Sequence, residues 1–115
     1  MGTLHTLRTR RTAVDAPVTV TAHGFSCGQL FVAWQTVCEI RAWMCDHVSA
    51  DEAHLAFTVG DHCTVVGESR AGFDALEAAM VSAFPQTAGW RDNVVLPPGE
   101  RNETVLFRRI PLRGA

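Results

Sequence analysis

Two short stretches of this 115-residue chain set thiols and imidazoles side by side, Cys45-Asp46-His47 and His62-Cys63. Zinc favours such ligands, so Cys45, His47, His62 and Cys63 are the set from which a small metal-dependent or thiol-based enzyme or sensor would be built. The spacing argues against that use. Structural zinc draws on two close pairs such as Cys-x2-Cys, and Cys38 and Cys63 fall at positions that read as inward-facing small hydrophobes. A nucleophilic cysteine needs a cation or helix N-terminus to make its thiolate, and a base in reach. Only Cys45 near His47 offers this locally, with no oxyanion donors or orienting third group beside it. Asp51-Glu52 read as adjacent, solvated loop carboxylates whose pKa values would move little. Gly60, Gly67 and Gly72 are isolated and make no phosphate-cradling loop. The residues thus imply no catalytic group, no metal and no cofactor.

Binding chemistry has better candidates. In Val37 to Met44 the alternation puts Cys38, Ile40, Ala42 and Met44 on one face and Val37, Glu39, Arg41 and Trp43 on the other. With the first set buried, Glu39, Arg41 and Trp43 form an outer surface, and an exposed Trp beside an Arg is a pairing enriched at interface hot spots. A second candidate is the basic cluster Arg108, Arg109 and Arg113, suited to an acidic partner or an anionic lipid headgroup.

The elements that must position these residues fit one domain. The chain is 47% hydrophobic and 19% charged, a globular composition, and a domain this size buries about two-thirds of its unfolded surface. Arg supplies every one of the ten basic side chains, and the net charge of −2 gives no field to draw in nucleic acid. No apolar run reaches the roughly 18 residues of a membrane-spanning helix, so integral membrane association is not expected. A core this apolar needs no disulfide staples, and the absence of a secretory pattern points to free thiols in a reducing cytoplasm.

Residues 1–16 read as a disordered N-terminal arm, 17–110 as the globular domain and 111–115 as a tail. Val18 to Ala22 alternates as a strand that stops near Gly24, and Gln29 to Trp34 forms the next. Trp34-Gln35-Thr36 makes a tight connection into Val37–Met44. His54 to Val59, with Leu55, Phe57 and Val59 inward, returns through a Gly60-Asp61 type II′ turn into Cys63–Val66. Phe73, Leu76, Met80 and Phe84 recur at spacings of three and four, an amphipathic helix with Ser69 as N-cap and Pro85 as stop. Trp90 reads as a core plug, and a last strand spans Thr104 to Arg109.

The stretch Leu30-Phe31-Val32-Ala33-Trp34-Gln35-Thr36-Val37-Cys38-Glu39-Ile40, with this order of elements, resembles bacterial pleckstrin-homology-like (PH-like) domains. Through Glu68-Ser69-Arg70-Ala71-Gly72-Phe73-Asp74-Ala75-Leu76, Gly89-Trp90-Arg91 and Asn102 to Arg109 the chain is also similar to a group of small uncharacterised bacterial proteins. It departs from them at Pro98-Gly99-Glu100-Arg101, where an aromatic would be expected. The resemblance implies an α+β, β-rich fold, in which an antiparallel sheet rolls into a PH-like half-barrel with one C-terminal amphipathic helix and a final short strand. It further implies a scaffold that binds peptides, lipids or protein partners and no catalytic residues. With no reactive constellation, the chain is expected to be a non-catalytic binding or adaptor domain for a protein partner, a toxin among the candidates if the role is immunity, with self-association through an open sheet edge as another outcome.

Overall fold

A computed structural model describes residues 10–13, 16–45, 52–94 and 103–109. The elements are β1 (Arg10–Ala13), β2 (Val18–Thr21), β3 (Gly24–Cys27), β4 (Leu30–Ala33), β5 (Glu39–Cys45), β6 (Glu52–Val59), β7 (His62–Gly67), α1 (Phe73–Ala83), α2 (Trp90–Asn93) and β8 (Thr104–Arg108). Two sheets result. A three-stranded antiparallel meander has the order β2-β3-β4, and a five-stranded sheet has the order β1-β7-β6-β5-β8. No strand among the described residues joins them into a closed barrel.

The inner faces of both sheets and the stripe of α1 share one core. Phe25 and Val32 come from the small sheet, Ile40, Leu55, Phe57 and Val66 from the large one, and Phe73, Leu76, Met80 and Phe84 from the helix and its end. Period 2 on the strands and period 3.6 on the helix are the spacings that aim these side chains at a single interior. The expected helix is therefore present, with its apolar stripe buried against the strands. Trp90 is buried in the same core, as expected.

Several sequence expectations change. Gly24 does not end a strand but begins β3, because Ala22-His23 makes a tight turn and Thr21 pairs with Gly24. A Cβ at Gly24 would lie 2.0 Å from the Val32 carbonyl oxygen, so the glycine marks a close approach of backbones inside a sheet. Ser69 does not cap α1. Its backbone N–H and hydroxyl both donate to Glu52 Oε2, at 2.8 and 2.7 Å, and the N-cap is Gly72 at φ 93°. Part of the expected arm is ordered as backbone, since Arg10–Ala13 pairs in parallel with His62–Val65. The other residues of the arm through Val14 and Asp15, and the expected tail at 111–115, lie outside the described residues.

The Gly60-Asp61 turn behaves as expected. Gly60 takes φ 61° while Asp61 does not have a positive φ, the distribution of a type II′ turn. The β5–β8 pairing shifts register between Ile40 and Arg41, and the bulge carries Leu106 past the partner strand.

Candidate binding site

The expected outer face of β5 is only partly a surface. Trp43 is 4% exposed, which corrects its placement as an open hot-spot residue. It lies in a second apolar cluster with Ala56, Cys63 and Val65, and its ring stacks on His54 at 5.7 Å and 5°. The β5–β7 segment is thus buried on both faces. Cys63 is a buried small hydrophobe as expected, but on this second face, opposite the main core.

Glu39, Arg41 and Arg108 come together as a charged ladder. Glu39 and Arg108 are cross-strand partners, and Glu39 Oε2 accepts from Arg41 Nε at 2.7 Å and Arg108 Nη2 at 3.0 Å. Arg41 Nη1 also reaches Glu103 at 3.5 Å. Burial pushes the Glu39 carboxyl up, but hydrogen bonds and charge from Arg108 and Arg41 outweigh it and hold the group below its ordinary value of 4.5. Each charge here satisfies another, which makes the face a cross-strand lock.

The metal and thiol set does not assemble among the described residues. His47 lies outside them, and of Cys45 only the strand backbone is described. His62 and Cys63 are neighbours in β7 and so point to opposite faces. No group of three or more His, Cys, Asp or Glu among the described residues could hold a metal ion. Cys27 is a buried thiol whose pKa burial raises, against a lowering pull from Arg70. Cys38 is half-buried, and its thiol donates to the Thr58 carbonyl at 3.3 Å.

An open site lies elsewhere, where three elements end together. Pro85 stops α1 and leaves Ala83, Phe84 and Gln86 at its end, the 3-10 turn Trp34–Thr36 presents Trp34 and Gln35, and the end of β8 brings Phe107 and Arg109. Together they line a cleft of about 380 Å³. Trp34 meets Phe84 edge to face at 5.9 Å and 84°, and Phe84 lies 4.4 Å from Phe107. These rings form the floor, with Trp34 and Phe84 buried and Phe107 half-buried. Ala83, Gln35, Gln86 and Arg109 are exposed around it.

Arg109 is fixed at this rim by its neighbours. Nε and Nη2 donate to the Val37 carbonyl at 3.2 and 3.0 Å, the guanidinium carbon sits 5.4 Å from the Phe107 ring centroid, and the Arg109 backbone N–H donates to Cys38 at 2.8 Å. Among the described residues no carboxylate pairs with it. The cleft therefore offers apolar contact, two amides and one cation, the mixture typical of ligand sites. Of these residues the sequence pointed only to Arg109 as a binding group. The signals for the rest were present but read as packing: a proline directly after the last aromatic of the helix stripe, and Phe107 and Arg109 two apart on one strand face.

A smaller depression of about 150 Å³ runs between Phe31 on β4 and Val59, His62 and Thr64 on the β6–β7 hairpin. Phe31 is 51% exposed on an edge strand. Among the described residues no helix is long and apolar enough to cross a membrane. Comparison of the chain with protein families, with curated proteins and with solved structures finds no match.

Proposed function

We propose that this chain is a non-catalytic binding domain of PH-like architecture that works in the cytoplasm by holding a segment of another protein. Support for the architecture comes from two facing antiparallel layers closed by α1. β8 supplies the final short strand expected after the helix, while the parallel strand β1 is a departure from the expected antiparallel half-barrel. The observation that carries the functional reading is the aromatic cleft with Arg109 at its rim. Buried thiols at Cys27 and Cys63 suit a reducing compartment.

A random peptide library displayed on phage with free C-termini and selected on the purified chain tests the reading. Selected peptides are expected to bind wild type and to lose about tenfold or more in affinity on Ala83→Gln. Ala83 is exposed at the last position of α1, where glutamine is a good helix former, so this variant fills the cleft without adding a charge. No enrichment, or peptides indifferent to Ala83→Gln, overturns it. Exposed Phe31 on the β4 edge supports a second mode, edge pairing of two copies. Light scattering of wild type against Phe31→Lys reads it, with a monomer at every concentration as the refuting result.

A further inference from the structure

We propose that the cleft captures the C-terminal residue of a partner polypeptide, with its apolar side chain against Trp34, Phe84 and Phe107 and its carboxylate on Arg109. The inference rests on the binding reading above and names the chemistry of the ligand.

Arg109 differs from three other arginines of the described surface. Arg41, Arg91 and Arg108 each meet a glutamate within 3.5 Å. Arg109 instead spends Nε and Nη2 on one neutral carbonyl oxygen. A guanidinium has five N–H donors, so three remain, and a carbonyl leaves its charge uncancelled. Its side chain is nevertheless held in place, by the Val37 carbonyl and by the Phe107 ring, so little rotamer entropy is lost when an anion arrives. Among the described residues lining the cleft it is the one charged group, which makes the site complementary to a single negative charge. Planar, fixed donors suit a carboxylate in particular.

Size and shape choose the source of that carboxylate. About 380 Å³ lies at the low end of the range of roughly 300–1,000 Å³ for ligand sites, enough for one side chain and its terminal group. Sites for free molecules bury roughly 70–90% of their ligand. Here Ala83, Gln35, Gln86 and Arg109 are all exposed, so a free molecule would remain half in water. A chain end gains further contact from the residues before it, and the two rim amides can meet its backbone groups.

The test titrates the full chain with acetyl-Gly-Gly-Phe bearing a free carboxylate, with the same peptide as its C-terminal amide, with acetyl-Phe-Asp-amide, and with N-acetylphenylalanine. Amide NMR follows the Trp34 indole N–H, the Gln35 and Gln86 side-chain amides and the Arg109 Nε–H. The free acid is expected to shift these signals and to bind about tenfold or more tightly than the amide, as the loss of a charge-assisted pair implies. Arg109→Gln should reduce the acid to the level of the amide, and Arg109→Lys, which keeps the charge but not the fork, should restore part of the difference. Should Arg109→Gln disturb the spectrum as a whole, Ala83→Gln, which fills the cleft without adding a charge, is expected to abolish the same shifts in a folded chain.

Equal binding of acid and amide overturns the proposal. So does acetyl-Phe-Asp-amide binding as well as the acid, which would mean an internal acidic side chain, or N-acetylphenylalanine binding as well as the tripeptide, which would mean a free small ligand. If these probes fail while library peptides still bind in an Ala83-dependent way, the C-terminal specificity is wrong and the binding reading stands. If both fail, both fall.

Discussion

The join between α1 and the small sheet can be tested at a single atom. Gly72 and Gly89 are both helix N-caps in the left-handed region, at φ 93°, ψ 0° and φ 75°, ψ 16°. They differ in what a methyl group would meet. At Gly89 nothing lies within 4 Å, whereas at Gly72 a Cβ would sit 2.3 Å from the Val18 carbonyl oxygen and 3.1 Å from Val18 Cβ. That carbonyl belongs to β2, whose Val18 N–H is bound to Ala71 at 2.9 Å, so neither side can retreat without breaking the join. Gly89→Ala should cost only the backbone penalty of about 1–2 kcal/mol. Gly72→Ala carries that penalty plus an overpacking cost of about 1–3 kcal/mol. The gain from a stiffer unfolded chain is common to both variants and cancels. With about 2.1 cal/mol/K of unfolding entropy per residue over 115 residues, 1 kcal/mol moves Tm by about 4 °C. Gly72→Ala should therefore melt about 4–12 °C below Gly89→Ala by calorimetry or circular dichroism. Equal melting points would refute the claim that this contact seats the helix on the sheet.

Trp90 and Arg91 should separate packing from charge. Trp90→Ala is expected to cost about 3–5 kcal/mol because the ring is buried and its Nε1–H donates to Glu77 at 2.9 Å, while Arg91→Met should cost at most about 1 kcal/mol, its bridges to Glu77 and Glu68 being partly solvated; denaturant unfolding checks both, and a larger loss for Arg91→Met would reverse the ranking. Glu39 is held below its ordinary value of 4.5, so its stabilising contribution is complete above that pH and is lost as pH falls through the lower folded value. Wild type should accordingly lose stability relative to Glu39→Gln during acid titration, and parallel curves for the two would refute it. Iodoacetamide labelling followed by peptide mapping should modify Cys27 and Cys63 only on unfolding, Cys27 doubly protected by burial and a raised pKa, and elemental analysis should find no stoichiometric zinc; fast native labelling of Cys63 or bound zinc would revive the thiol and metal reading.

Strands with a clean period of two, and the one helix with a stripe at three and four, were readable because their side chains report a single buried face. The β6–β7 hairpin was readable because Gly60 has a local conformational task. What escaped depended on partners distant in sequence. Nothing near Gly24 shows that Val32 will pass 2.0 Å from its missing Cβ. Nothing near Trp43 shows that Ala56, Cys63 and Val65 will cover it, since an alternating strand looks the same whether one face or both are packed. Ser69 followed a capping pattern, yet Glu52, 17 residues earlier, takes its donors first. Glu39, Arg41 and Arg108 do come together, but as partners of one another; pairing, which decides whether a charge is available, is a tertiary property.

That last point explains why Arg109 and not Arg108 carries the binding reading, although they are adjacent. Arg108 is the last residue of β8 and Arg109 the first beyond it. Arg108 meets Glu39 across the ladder, while Arg109 crosses over the Phe107 ring to a backbone carbonyl. A cation already paired with a carboxylate would have to break that pair to bind another, and the exchange gains little. A cation held by a neutral acceptor keeps its charge for an incoming group and has lost its side-chain entropy in advance. The cleft floor follows the same logic, since Trp34 and Phe84 are fixed by the core beneath them and need no reordering when a side chain is laid on top. On the proposed reading, the fold stabilises the site from behind and leaves only the exposed rim to choose the ligand.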